Sequence, residues 1–177
     1  LAKELRAVAK KHGPKSVAGI ASAFMTCEEL LLFKKLFTAL GSDRLGAIAR
    51  PNGVDENFKS FAIAADKNPN RAGARRILGL DAFEKGYDAV LEGVARGEVK
   101  ALLVVADQPH VPLPARVVEL LGKVELGVVV LLEKDKRLSE KVWVLPATTF
   151  VEKDGTIVND RGRAQRLRPA LALPRLV

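Results

Sequence analysis

Apolar residues along the chain follow two alternating rhythms. Short, nearly continuous apolar runs recur as KSVAGIAS (15–22), RLGAIAR (44–50), VKALLVVAD (99–107), VELGVVVLLEK (124–134) and VWVLPATTF (142–150). Runs of this length without polar alternation predict strands buried on both faces. Between them, apolar positions return every three or four residues, the spacing of helices that pack one side onto a core. LAKELRAVAKKHG (1–13) has this pattern. So has TCEELLLFKKLFTALGS, where Thr26 and Glu29 have the spacing of a capping box and Gly41 supplies the stop. Its apolar face is Leu30, Leu31, Phe33, Leu36, Phe37 and Leu40. A third helix is predicted over 81–96, burying Ala82, Tyr87, Val90, Leu91 and Val94, and a fourth over 114–122. Strands that alternate with helices predict an α/β fold: a doubly wound, mostly parallel sheet with helices on both faces.

Two regions depart from this rhythm. From 51 to 79, RPNGVDEN and DKNPNRAG have loop chemistry, and FKSFAIAA between them is read as a short helix. So long an irregular stretch is usually a functional loop or a crossover. RLSEK (137–141) is read as a short helical turn. Residues 151–177 predict a β-hairpin and an extended basic tail. Asp154-Gly155 is taken as the hairpin turn, flanked by Val151, Ile157 and Val158, and Asn159 and Gly162 supply a second turn. The length of 177 residues predicts a single domain over 1–177.

Charge and composition narrow the function. The net charge is +8 and the pI about 9.8, which suits nucleic acid, an anionic membrane surface or an acidic partner. Part of the excess is local. From Arg161 onward the chain carries Arg163, Arg166, Arg168 and Arg175 and no acid. Aromatics are only 5% of residues, with little interleaving among the basic ones of the kind single-strand binders use, so a solvated or partner-facing tail is favoured. The single cysteine, Cys27, excludes an intrachain disulfide and a cysteine-built iron–sulfur or zinc site. His12 and His110 are far apart, which argues against a histidine metal site. This usage fits a reducing compartment, and many charges with few Cys and Met lean towards a thermophilic source. No apolar run has the length of a membrane span. The start is not a signal peptide, and the absence of an initiating Met suggests a piece of a larger protein.

In open α/β sheets ligands bind at the carboxyl ends of strands. Three loops qualify: Ala21 to Thr26, Asp107 to Pro112 and Pro146 to Glu152. None contains a dinucleotide fingerprint or a Walker loop, and GIASAF lacks the glycines a pyrophosphate needs. Cys27 is at a helix start, but Glu28 and Glu29 oppose a thiolate, so a structural role is expected. Asp107 can touch a ligand or bond the following loop. His110, between prolines and without a nearby carboxylate in sequence, is read as a polar contact. Tyr87 and Trp143 are expected in the core.

The stretch VLPATTFVEKDGTIVNDRGRAQRLRPAL (144–171) resembles a segment of the molybdopterin oxidoreductase superfamily. The matching positions are Val144, Leu145, Pro146, Ala147, Phe150, Glu152, Gly155, Thr156, Asn159, Gly162, Arg163 and Gln165. TCEELLLFKKLFTALGSDRLG, with Thr26, Glu28 and Glu29, and GEVKALLVVADQPHVPLP are similar to two further segments of that superfamily. Within it, the chain most resembles the C-terminal body of the large iron–sulfur subunit of NADH–quinone oxidoreductase, respiratory complex I, whose body carries no molybdenum cofactor. The resemblance implies a non-catalytic structural domain without a cofactor or metal of its own. It would support electron transfer by iron–sulfur clusters located N-terminal to this sequence. Its partners would be other subunits of the peripheral arm, on the cytoplasmic side of the inner membrane, with no membrane insertion and no specific nucleic acid. Pterin-binding relatives show Gly-x-Asn-Pro where this chain has Ala106, Asp107, Gln108 and Pro109. The glycine that lets a bulky group approach the backbone is missing. Ser22, Thr26, Glu29, Asp107 and Gln108 are therefore expected to line a vestigial pocket. One alternative is a fragment of an active molybdopterin oxidoreductase such as a formate dehydrogenase, with loops 21–26 and 107–112 touching the pterin's phosphate or guanosine. Another is a basic nucleic-acid-binding module.

Overall fold

The computed structural model describes residues 1–79, 81–109 and 111–172, apart from the side chain of Glu84. The readings of His110 and Arg175 lie outside the described residues. Along the chain the elements are α1 (Ala2–His12), β1 (Val17–Ser22), α2 (Cys27–Leu40), β2 (Leu45–Ile48), β3 (Glu56–Asn57), β4 (Ala62–Ile63), α3 (Arg71–Leu78), α4 (Tyr87–Ala95), β5 (Ala101–Ala106), α5 (Ala115–Leu121), β6 (Leu126–Leu131), β7 (Trp143–Pro146), β8 (Gly155–Val158) and β9 (Ala164–Leu167).

Five strands form one sheet in the order β2-β1-β5-β6-β7. Every neighbouring pair is parallel, with Gly19 opposite Leu45, Val17 opposite Ala101, Ala101 opposite Leu126 and Val128 opposite Trp143. Side chains of a strand alternate between its two faces, and the core divides accordingly. Ala101, Leu103 and Val105 of β5 pack with Leu5 and Val8 of α1, Leu30, Phe33 and Phe37 of α2 and Ala74 of α3. Leu102, Val104 and Ala106 pack on the other side with Val90, Leu91 and Val94 of α4 and Val117, Leu120 and Leu121 of α5. The predicted doubly wound sheet with helices on both faces is thus the observed one.

The capping box of α2 forms as read. The Glu29 N–H donates to Thr26 Oγ1 at 3.2 Å, the Thr26 N–H donates to Glu29 Oε2 at 2.7 Å, and Gly41 closes the helix. The predicted 81–96 helix begins as a π-helical turn, Ala82–Gly86, and continues as α4. Tyr87 is half-buried against the core.

Four local readings are corrected. FKSFAIAA is no helix: β3 and β4 pair antiparallel, and Phe58 and Phe61 stack at the exposed tip with ring centroids 4.6 Å apart. Its apolar residues have no helix face to share with a core. The end of DKNPNRAG, by contrast, opens helix α3, RAGARRIL. Its few inward positions, Ala74, Ile77 and Leu78, are masked by three arginines, which hides the periodicity. RLSEK forms hydrogen-bonded turns, from Leu138 N–H to the Asp135 carbonyl and from Val142 N–H to the Ser139 carbonyl. Trp143 is 49% exposed, since β7 is a sheet edge and covers only one side of itself.

The C-terminal hairpin is present but turns elsewhere. Gly155 is the first residue of β8, which pairs antiparallel with β9, Gly155 opposite Leu167 and Val158 opposite Ala164. The turn is 159–163. There Asn159 Oδ1 accepts from the N–H groups of Arg161 and Arg163 at 3.1 and 2.9 Å, and Gly162 takes φ 78°. Such side-chain bonds to backbone two and four residues on are what makes Asn a turn former. They outcompete the Asp154-Gly155 pair.

Candidate functional site

The chain runs from β1 to β2 in one direction, then recrosses to β5 on the far side of β1. That reversal opens a crevice at the carboxyl ends of β1 and β5, where ligands of such sheets bind. Of the residues expected to line it, Glu29 and Asp107 meet there, and the crevice has an occupant from the same chain. Lys153, only 8% exposed, places its ammonium 2.5 Å from Asp107 Oδ2 after β5 and 3.1 Å from Glu29 Oε2 at the start of α2. Asp107 is itself 4% exposed. Burying one such charge alone costs several kcal/mol, so each requires the other. The space left around the lysine is about 230 Å³, bounded by Met25, Val105, Val130, Pro146 and Thr148 among others.

The remaining expected residues take local roles. Ser22 Oγ accepts from the Phe24 N–H at 3.0 Å and shapes the turn after β1. Thr26 caps α2. Gln108 is buried and borders a second, larger cavity of about 740 Å³ at the ends of β5, β6 and β7. In that cavity Arg137 is held by Asp135 and the Leu113 carbonyl, and Glu152 by the N–H and hydroxyl of Thr149. Cys27 has its Sγ 3.6–3.7 Å from the Asn70 side-chain amide, a structural contact.

The arm that carries Lys153 is fastened on both sides of the crevice. Glu28 accepts from the Thr156 N–H and hydroxyl, both at 2.8 Å. Asn70, fully buried, accepts from the Val158 N–H at 2.7 Å and donates to the Met25 carbonyl at 2.7 Å. Gly155 lies flat on Thr26: a Cβ there would be 2.7 Å from Thr26 Cγ2 and 2.8 Å from Thr26 Cβ. Gly155→Val is therefore expected to destabilise the protein by about 1–3 kcal/mol through overpacking, without any role for a positive φ. The check is the denaturant midpoint; an unaltered midpoint would show that the hairpin does not rest on the α2 cap.

Across the crevice, Arg50 binds the loops together. Its guanidinium lies 5.0 Å over the Phe24 ring and donates to the Pro109 carbonyl at 2.9 Å, while its backbone N–H donates to Asn68 Oδ1 at 2.7 Å. Arg71 donates to the Arg50 carbonyl at 2.6 Å. Arg50, Asn68, Asn70, Arg71 and Lys153 all escape sequence reasoning. For Asn70 a signal exists, since it sits at the N-cap position of α3, but the arginine-rich helix after it is hard to recognise. For Lys153 none of the local patterns helps.

Burial pushes the Glu28 carboxyl up. The hydrogen bonds from Thr156 and the nearby Arg166 charge outweigh it and hold the group below its ordinary 4.5. A lowered carboxyl contributes stability above its ordinary value and loses it as pH falls through its folded value. The stability gap between the wild type and Glu28→Gln is therefore expected to close on acidification below 4.5. Urea titrations of both proteins across that range measure it, and a gap that persists in acid would remove Glu28 as an ionised fastener.

The crevice chemistry is wrong for a pterin dinucleotide. Two carboxylates, Glu29 and Asp107, each place one oxygen on the Lys153 ammonium, and Asp107 Oδ1 is buried without a hydrogen-bond partner among the described residues. A phosphate entering would have to displace Lys153 and would then meet two anions. Among the described residues no group of three or more His, Cys, Asp or Glu is placed to hold a metal ion, and no helix is long and apolar enough to cross a membrane.

The fold and site together define an open α/β domain whose five sheet strands, counted among themselves, run in the order 2-1-3-4-5, and whose strand-end crevice receives Lys153 from the segment between β7 and β8. No family model matches the chain. Over 83 residues, 46% of its length, it is 35% identical to the G subunit of NADH-quinone oxidoreductase from Pseudomonas putida. The matched part is 9% of that protein, so the chain spans a small fraction of the relative's length.

Proposed function

We propose that this chain is a non-catalytic scaffold domain of an NADH–quinone oxidoreductase subunit. It would carry no cofactor and would pack against other subunits of a peripheral arm while supporting the iron–sulfur part of its own subunit. The single observation that carries this reading is Lys153, which joins Asp107 and Glu29 in the crevice where a relative with a working site would take its ligand. The partial likeness to an NADH-quinone oxidoreductase subunit supports the choice of assembly. Residues of the 144–171 motif fit the same role: Pro146 ends β7, Glu152 and Asn159 close turns, Gly155 and Thr156 dock on α2, and Arg163 and Gln165 are exposed on the hairpin. The intact parent subunit tests the reading. Elemental analysis and pterin extraction are expected to find neither molybdenum, tungsten nor pterin at stoichiometric level; finding them would favour an active molybdopterin oxidoreductase.

A further inference from the structure

The hairpin has two edges, and the structure treats them differently. On β8 the outward N–H groups of Thr156 and Val158 are sealed by Glu28 and Asn70. Since those two groups point away from β9, their partners across the ladder, Arg166 and Ala164, must likewise turn their backbone N–H and C=O away from β8. Among the described residues no hydrogen bond reaches these groups from outside. Ala164, Gln165 and Arg166 are exposed, so β9 presents a free strand edge.

The edge is strongly basic. Arg161, Arg163 and Arg168 are exposed and have no carboxylate partner among the described residues, whereas Arg166 pairs with Asp154 at 2.7 Å. Arg76 of α3 joins them, since a Cβ on Gly162 would lie 3.0 Å from its guanidinium. Charged side chains commonly blunt an exposed edge against aggregation. Here, however, the strand behind the edge is pinned by Lys153, Glu28 and Asn70. Its conformation is set in advance, which lowers the ordering cost of adding a strand.

We propose that β9 is a docking edge for an extended acidic segment of a partner protein, which adds as a third strand to the hairpin. Backbone bonds to Ala164 and Arg166 supply the pairing, and the flanking arginines select carboxylate-bearing side chains at alternate positions. This deepens the scaffold reading by naming the chemistry of one partner contact.

The test uses the 177-residue chain and a fluorescent, end-blocked peptide of alternating Glu and Val. Saturable binding that weakens with salt is expected. The double substitution Arg163→Glu, Arg168→Glu should weaken it by about tenfold or more, as removal of docking charges does. The same peptide N-methylated at alternate residues, on the edge that would pair, should not bind. That control leaves the protein untouched, so misfolding cannot mimic it. Equal binding of the N-methylated peptide, or of a single-stranded oligonucleotide of matching charge, would overturn strand addition in favour of unspecific electrostatics. No binding of the plain peptide would overturn it as well. Neither result bears on the scaffold reading, which is decided by the pterin and metal content of the parent subunit.

Discussion

Lys153→Met is expected to lower stability by about 3–5 kcal/mol, the usual cost of breaking a buried ion pair from one side. For a domain of this size that is a fall of roughly 6–20 °C in Tm. The loss comes from Asp107, which has 2% side-chain exposure and would be left with an uncompensated charge. Glu29 matters less, because it is 38% exposed and still serves the α2 cap. The decisive variant is the pair. Adding Asp107→Leu to Lys153→Met is expected to recover most of the loss, because two apolar side chains in place of a buried pair are often neutral. The coupling energy from the full cycle isolates the contact. A Tm unchanged in Lys153→Met would mean that the lysine does not occupy the crevice, and the scaffold reading would lose its support.

Asn70→Ala is expected to cost about 1–3 kcal/mol for each of the two buried backbone groups it orphans, the Met25 carbonyl and the Val158 N–H. It acts on both sides of the crevice, since Met25 belongs to the turn after β1 and Val158 to the hairpin. Urea unfolding measures the total. Hydrogen exchange at Val158 reports the local part and should accelerate more than exchange at Val104 in the central strand. Asn70→Asp is informative as well: it keeps an acceptor for Val158 but sets a carboxylate oxygen against the Met25 carbonyl. It too should destabilise. A variant as stable as the wild type would show that the hairpin is held by its own turn and not by α3.

Much of this is legible from residues alone where the controlling interaction is local. Thr26 and Glu29 are three residues apart, and the capping box between them is dictated by backbone geometry. The apolar runs of β1, β5 and β6 are legible because a strand covered on both faces is almost continuously apolar. Where propensities compete locally, residues alone mislead. Asp154-Gly155 and Asn159–Gly162 both have turn chemistry, and the choice falls to the second because β8 must begin at Gly155 to lie against Thr26. Helix α3 is hidden because its buried face is small and its arginines dominate the pattern.

The amino-acid order by itself determined a layered α/β sheet, the caps of its main helix and the strand ends where a ligand site would be. Only the tertiary structure decided what fills that site. Lys153 meets Asp107 across 46 positions of chain and Glu29 across 124, and Asn70 meets Val158 across 88. Periodicity and propensity act over a few residues and carry no information about such pairings. These form because the folded chain buries Lys153 against Asp107, and Asn70 against the Met25 carbonyl and the Val158 N–H, where a polar group without a partner is costly.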